Sequence, residues 1–151
     1  MRIAVVAFGD ASHGDDAIGI ELISQVNRRD LPEHAIFING GTDVLKTLES
    51  LSDFEGLVIV DAASMGEAPG TVKTFSLNDL FLTEVAVPIT LHGMKMDSEL
   101  LYANKFLSLP PTMIVGIEPE SLTGEGISEV LRSNLDTYIE AVNRAITQLH
   151  L

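Results

Sequence analysis

The chain of 151 residues contains no cysteine. Disulfide bridges, thiolate metal ligands and a cysteine nucleophile are therefore excluded, and a cytoplasmic protein is expected. Long hydrophobic runs are also missing, since no apolar run approaches the ~18 residues that a membrane-spanning helix needs. The apolar run after Met1 and Arg2 is too short for a signal peptide and is followed by acidic residues, so we expect no export signal.

Positive charge is scarce. Nine Lys and Arg residues stand against 22 Asp and Glu residues, which gives a formal net charge of −13. Such a chain is repelled by the phosphates of nucleic acids and by anionic membranes, so we expect neither as a partner. The charge suits a cation or a basic peptide, although many proteins are simply acidic.

Several motifs of well-known enzyme classes are absent. The chain has no G-x-S-x-G nucleophile turn, no phosphate-binding loop and no H-E-x-x-H zinc motif. The glycines Gly9, Gly14 and Gly19 do not have the spacing of a dinucleotide-binding fingerprint, and the acidic residues among them would repel a pyrophosphate. These observations argue against a nucleotide-binding enzyme.

Short apolar runs alternate with helical patterns along the chain. Strands are predicted at residues 2–8, 35–38, 56–60, 71–75 and 112–117. Helices are predicted to begin at residue 15 or 16, at 42 or 43, at 97 or 98, and near 128, whereas residues 78–87 are ambiguous and expected to be partly irregular. The alternation predicts one α/β domain, residues 1–151, with a mostly parallel sheet.

Polar residues follow three of the apolar segments. Asp16 begins a predicted helix after the first strand, Asp61 directly follows the strongest strand, and His92 lies in a loop after a later apolar segment. The carboxyl ends of parallel strands are where ligands bind in such sheets. Two carboxylates and one imidazole, with coordination positions left open, suit a divalent cation such as nickel or zinc. Such binding weakens as the pH falls and the histidine is protonated.

Each of these residues also has a simpler explanation. Asp16 can serve as a helix N-cap, Asp61 can cap the loop after its strand, and a loop histidine such as His92 is more often a hydrogen-bonding or surface residue. Only their joint placement at strand ends favours a metal site.

Four neighbouring residues receive lesser roles. His13 is expected to be a mobile loop residue, and Asp10 and Asp15 are expected to act as electrostatic neighbours rather than ligands. Glu118 follows another strand and is expected to be either a supporting acid behind the ligands or a solvated residue.

At these positions the sequence resembles the hydrogenase maturation endopeptidases, which trim a C-terminal tail from the large subunit of NiFe hydrogenase after nickel insertion. The likeness covers nearly the whole chain. Its matching segments are Asp15-Asp16-Ala17-Ile18-Gly19, Gly40-Gly41-Thr42, Asp61-Ala62 with Gly66 and Pro69-Gly70-Thr71-Val72, His92, and Gly116-Ile117-Glu118-Pro119-Glu120.

The resemblance implies a three-layer sandwich in which a twisted, mostly parallel sheet carries helices on both faces. It implies that Asp16, Asp61 and His92 are the metal-binding and catalytic residues, and that Asn39-Gly40-Gly41-Thr42 contributes to substrate recognition. The implied substrate is the hydrogenase large-subunit precursor, which brings its own nickel. Zinc or cadmium is expected to be able to occupy the same site, and a monomer is expected.

Two positions depart from the family pattern. The first turn reads Gly9-Asp10 where the family usually has Gly-Asn, and Asn39 stands where the family usually has aspartate. Asn39 keeps the hydrogen-bonding shape of aspartate but not its charge. Three hypotheses therefore stay open: a nickel-gated endopeptidase, a non-enzymatic module that binds metal or precursor, and a hydrolase with a resident metal.

Overall fold

The structure is a computed structural model that describes residues 2–26, 31–80, 89–92 and 97–149. Six strands lie in these ranges: β1 (Ile3–Phe8), β2 (Ala35–Gly41), β3 (Gly56–Ser64), β4 (Val72–Ser76), β5 (Thr90–Leu91) and β6 (Thr112–Ile117). The helices described there are α1 (Ile18–Gln25), α2 (Val44–Glu49), α3 (Leu77–Leu80), α4 (Asp97–Phe106), α5 (Glu129–Arg132) and α6 (Leu135–Gln148).

The strands form one sheet in the order β2-β1-β3-β6-β4, and the short β5 pairs with the end of β3. The pairs β1–β2, β1–β3 and β3–β6 are parallel, whereas β4 pairs antiparallel with β6 and β5 pairs antiparallel with β3. The predicted α/β class with a mostly parallel sheet is confirmed. The carboxyl ends of β1, β3 and β6 therefore lie along one edge of the sheet.

Both faces of the sheet are covered by helices. Even-numbered positions of β3 belong to one apolar cluster together with α1 and α6, and odd-numbered positions belong to a second cluster together with α2 and α4. Strands that are buried on both faces are largely apolar, which is why β1 and residues 57–60 of β3 form unbroken apolar runs in the sequence. The three-layer arrangement is confirmed.

Two strands are longer than the sequence predicted. Asp61 lies within β3 rather than after it, because Asp61 and Ala62 pair with β6 and the next two residues pair with β5. Asn39 likewise lies within β2, because the pairing with β1 continues to Gly41. Long-range pairing therefore extends both strands beyond their apolar runs.

The helices differ from the prediction at two places. Asp15 and Asp16 form part of a 3₁₀ helix, Gly14–Ala17, and α1 begins only at Ile18. The predicted long C-terminal helix is divided into α5 and α6, because the Asn134 side chain donates a hydrogen bond to the Val130 carbonyl at 2.7 Å and competes with the helical pattern.

The other predicted elements agree with the structure or lie beyond its described part. Asp43 is the N-cap of α2, where its side chain accepts a hydrogen bond from the Lys46 N–H at 3.2 Å. Of the ambiguous segment 78–87, the first residues belong to α3, and residues 81–87 lie outside the described residues. No helix in the described ranges is long and apolar enough to cross a membrane.

Candidate functional site

The turn after β1 brings Asp16 to the edge of the sheet. Gly9 has φ of +148°, and a Cβ atom at this position would lie 2.0 Å from the Asp16 carbonyl oxygen. Only glycine fits here, because any side chain would push Asp16 away from the end of β1. The Gly9 N–H also donates to the Gly41 carbonyl at 3.0 Å, which joins this turn to the end of β2.

The Asp16 carboxylate is buried and incompletely satisfied. The residue is 8% exposed, and its Oδ2 atom accepts a hydrogen bond from the Asp10 N–H at 2.9 Å. Its Oδ1 atom is the one buried side-chain oxygen or nitrogen in the described ranges that has no hydrogen-bond partner. Burial raises the pKa of Asp16, against the opposing effects of the Asp10 N–H and the His92 and His13 charges. A cation bound at Oδ1 would supply the partner that this oxygen atom lacks.

His92 is attached to β3 by its backbone and by its side chain. Its N–H donates to the Ala62 carbonyl at 2.9 Å, directly after the β3–β5 pairing. Its Nε2 atom lies 2.5 Å from the Ser64 hydroxyl oxygen. The His92 charge lowers the pKa of Asp16, so the two side chains are close enough to interact electrostatically.

Asp61 occupies a different position from the one the sequence suggested. It is fully buried inside β3 and alternates with Ile59 and Ala63, which pack in the cluster on the α2 and α4 side of the sheet. Within the described ranges, no three His, Asp or Glu side chains form a group that can hold a metal ion. The structure thus relates Asp16 to His92, and the assignment of all three residues as ligands stays a prediction.

Asp15 has a larger structural role than the sequence indicated. It is fully buried, and its carboxylate accepts hydrogen bonds from the N–H groups of Glu120, Ser121 and Ser128 and from the Ser128 hydroxyl, at 2.6–3.1 Å. These bonds fasten the loop of residues 118–128 beside the 3₁₀ helix that carries Asp16. No local pattern reveals this role, because the partners are more than 100 residues away in the chain.

Glu118 is buried rather than solvated, and it supports the loop that follows β3. It is 8% exposed, and its Oε1 atom accepts hydrogen bonds from the N–H groups of Met65 at 2.7 Å and Glu67 at 3.0 Å. The residue therefore fixes the loop that follows β3. This loop begins directly after Ser64, the side-chain partner of His92.

The residues after Gly9 line an open cleft of about 480 Å³ between the first turn and the loop of residues 118–128. Its lining residues are Asp10, Ala11, Ser12, Glu125 and Gly126. On this rim the Nδ1 atom of the exposed His13 lies 3.1 Å from the Asp10 Oδ2 atom. Hydrogen bonds from the Ser12 backbone and side chain, together with His13, lower the pKa of Asp10.

The segment expected to recognise substrate lies beside this turn at the exposed end of β2. The Asn39 Oδ1 atom accepts a hydrogen bond from the Gly41 N–H at 2.9 Å. Gly40 packs against the Phe8 ring, which leaves no room for a side chain, whereas a Cβ atom on Gly41 would contact nothing within 4 Å. Asn39 and Thr42 are exposed, so their side chains are accessible to a partner.

The sheet order and the buried acid at the end of β1 define an α/β protein with its candidate site at the carboxyl edge of the sheet. The family model for hydrogenase maturation proteases, HycI, matches residues 20–145. The chain belongs to this protease family, whose members are endopeptidases and whose role is to process the C-terminus of the hydrogenase large-subunit precursor.

Individual relatives agree with this assignment. The chain is 28% identical over 159 residues to the hydrogenase 2 maturation protease of Escherichia coli K12, an alignment that covers 98% of this chain and 92% of that protein. The solved E. coli endopeptidase HybD superposes with a TM-score of 0.75 at 24% identity and covers 98% of this chain and 93% of its own. HybD of Thermococcus kodakarensis gives 0.73 at 21% identity, covering 95% and 98%. The two solved structures show the fold.

Proposed function

We propose that the protein removes the C-terminal tail of the nickel-loaded large-subunit precursor of a NiFe hydrogenase, and that it reads the nickel in the precursor as the signal to cut. Membership of the maturation protease family supports the reaction. The observation that carries the nickel part is the buried Asp16 Oδ1 atom, which has no partner in the described part of the chain. We propose further that the protein acts as a cytoplasmic monomer.

The residues at the sheet edge have the right chemistry for nickel. A carboxylate oxygen from Asp16 and an imidazole nitrogen from His92 are ligands that a borderline divalent cation accepts. A metal that arrives already bound to the precursor needs only part of its coordination from the protease. The proposed third ligand is Asp61. It directly precedes Ala62, whose carbonyl accepts a hydrogen bond from the His92 N–H.

The chemical step is hydrolysis of one peptide bond, in which water adds to the scissile carbonyl and the tail leaves as a free amine. The substrate metal supplies Lewis acidity, either by polarising that carbonyl or by lowering the pKa of the attacking water. The protein holds the metal-bearing segment at Asp16 and His92 and so places the bond to be cut. Residues 39–42 at the end of β2, of which Asn39 and Thr42 are exposed, bind the adjacent part of the precursor in this proposal.

The test uses precursor with and without nickel, and tail removal is followed by mass spectrometry. Wild type is expected to cut only the nickel-loaded form, and Asp16→Asn and His92→Ala are expected to cut neither. His34→Ala and Asp53→Asn are matched controls, since His34 precedes β2 at the opposite end of the sheet and Asp53 is exposed. Cleavage of nickel-free precursor, or full activity of His92→Ala, would contradict the proposal.

Asn39 supports a second candidate, a module that binds the precursor without cutting it. An aspartate at this position can accept the same hydrogen bond from the Gly41 N–H, so Asn39→Asp changes the charge and leaves the local structure intact. Tail removal by Asn39→Asp alone would identify the natural protein as a binder. A hydrolase with a resident metal instead predicts stoichiometric metal in freshly purified protein, which elemental analysis measures.

A further inference from the structure

The Ser64 hydroxyl is hydrogen-bonded to one of the two nitrogen atoms of the His92 ring. The Ser64 Oγ atom lies 2.5 Å from His92 Nε2, a hydrogen-bond distance. A metal ion can reach that nitrogen only by displacing the hydroxyl. While this hydrogen bond persists, Nδ1 is the ring nitrogen that can bind a metal.

We propose that Ser64 is a positioning residue that accepts a hydrogen bond from His92 Nε2–H and thereby presents Nδ1 as the nitrogen for the metal of the substrate. The proposal rests on the proposed function in one respect, the role of His92 as a metal ligand. Metal-binding histidines in proteins commonly donate their second N–H to an oxygen acceptor, which fixes the tautomer and the ring orientation.

The pairing of β3 with β5 explains why these two side chains meet. Ala63 lies opposite Leu91 in this antiparallel pair, and the His92 N–H reaches the Ala62 carbonyl. In such a pair Ser64 is the diagonal neighbour of His92 on the same side of the ribbon, a position from which side chains make contact. The extension of β3 beyond its apolar run is thus what delivers Ser64 to the ring.

The serine is held at a fixed place by the residues that follow it. The N–H of Met65, its neighbour in the chain, donates to the buried Glu118 carboxylate at 2.7 Å. The ring is held from the other side, through the His92 backbone bond to β3. A hydrogen bond between two anchored groups restricts the ring more strongly than one between mobile side chains, and such support is what a metal ligand needs.

The opposite arrangement makes a different prediction. If the Ser64 hydroxyl donates to a lone pair on Nε2, the neutral ring carries its proton on Nδ1. A metal would then have to displace Ser64 to reach Nε2, and removal of the hydroxyl would strengthen metal binding. The two arrangements therefore differ in the tautomer of the metal-free ring, in the nitrogen that binds metal, and in the sign of the effect of Ser64→Ala.

The experiment is a long-range ¹H–¹⁵N correlation spectrum of the histidine rings, recorded on the metal-free protein at about pH 8. The His92 signals are assigned by their loss in His92→Gln, and Zn²⁺ is then added as the probe. Wild type is expected to show the Nε2–H tautomer, and Zn²⁺ is expected to shift Nδ1. Ser64→Ala is expected to mix the tautomers and to weaken Zn²⁺ binding about tenfold.

Two variants control for a merely structural effect. Ser64→Thr keeps the hydroxyl and is expected to retain both the tautomer and the Zn²⁺ affinity, and Ser52→Ala removes an exposed hydroxyl with no effect on either. A Zn²⁺ shift at Nε2, an Nδ1–H tautomer in wild type, or unchanged affinity in Ser64→Ala would overturn the proposal and leave the proposed function standing. A wild-type His92 ring that does not respond to Zn²⁺ would also overturn the proposal, and the cleavage assay with nickel-loaded precursor and His92→Ala then decides separately whether the proposed function stands.

Discussion

Ser128 donates hydrogen bonds to both carboxylate oxygens of Asp15, although the two residues are 113 positions apart in the chain. The backbone N–H bonds to Oδ1 at 2.6 Å and the hydroxyl bonds to Oδ2 at 2.8 Å. Asp15 is followed directly by Asp16, the buried acid of the candidate site. The position of the candidate site therefore depends on a contact between the first turn and the start of α5.

Loss of the Asp15 carboxylate is expected to be costly, because backbone N–H groups of the loop of residues 118–128 lose their acceptor. We expect Asp15→Ala to lower the free energy of unfolding by ~3 kcal/mol, because a fully buried carboxylate and its four partly buried hydrogen bonds are lost at once. Ser128→Ala removes a single hydroxyl bond and is expected to cost about 1 kcal/mol. Urea unfolding measures both, and exposed Asp53→Ala is the control. Equal losses for Asp15→Ala and Ser128→Ala would contradict this account.

Gly9 and Gly41 form a matched pair for testing the first turn. Both have positive φ, but a Cβ on Gly9 would clash with the Asp16 carbonyl whereas a Cβ on Gly41 meets open space. We expect Gly9→Ala to destabilise the protein by roughly 3 kcal/mol through backbone strain combined with displacement of Asp16. Gly41→Ala is expected to cost only the left-handed penalty of about 1–2 kcal/mol. Thermal unfolding of the two variants measures the difference, and similar melting temperatures would show that the contact with Asp16 is unimportant.

The sequence predicted those parts of the fold that depend on local pattern. The bounds of β6 agree with the prediction and β1 differs by one residue, because both strands are largely apolar and are directly followed by a glycine or a charged residue. The start of α2 was predicted at residue 42 or 43 because both are good N-cap residues, and Asp43 is the N-cap in the structure. Each of these features is decided within a few neighbouring residues.

The features that the sequence did not reveal depend on distant partners. The continuation of β3 to Ser64 requires β5, almost 30 residues further along the chain, and the role of Asp15 requires the loop of residues 118–128. Of the three predicted ligands, Asp16, Asp61 and His92, the first and last interact electrostatically, since the His92 charge lowers the pKa of Asp16. Asp61 was expected at a strand end, but pairing with β6 keeps it within the strand. A polar residue after an apolar run thus predicts a position near the edge of the sheet. It does not predict on which face of the sheet the side chain lies.

Glu118 offers a test of the loop that follows β3. Glu118→Ala leaves the Met65 and Glu67 N–H groups without their carboxylate acceptor, so we expect a loss of about 2 kcal/mol and faster amide hydrogen exchange at both positions. Glu118→Gln keeps an oxygen acceptor and is expected to lose less. Glu120→Ala is the control, since that side chain is exposed. Unchanged exchange at Met65 in Glu118→Ala would show that the carboxylate does not hold the loop.

Asp16→Asn is expected to stabilise the metal-free protein at neutral pH while it weakens metal binding. Burial raises the pKa of Asp16 above its usual 3.8, so the folded protein takes up a proton more readily than the unfolded chain. Stability is therefore highest below the unfolded pKa and falls as the pH rises through the raised pKa of the folded state. At pH 7 the ionised side chain destabilises the fold, and the neutral amide avoids that cost, which we take as about 1 kcal/mol.

The melting temperatures of wild type and Asp16→Asn, measured between about pH 4 and pH 7, test this prediction. A gain of about 2–4 °C is expected for the variant at pH 7. The gain should shrink as the pH falls, because wild-type Asp16 also becomes neutral and the two proteins then carry the same charge at this position. Added Zn²⁺ should raise the melting temperature of wild type more than that of the variant, because a ligand that binds only the folded state stabilises it. Two results would contradict this account: a variant that is less stable than wild type at pH 7 without metal, or a difference in melting temperature that does not change with pH. Either result would show that the ionised Asp16 carboxylate does not destabilise the metal-free fold, so that a cation is not needed to stabilise it.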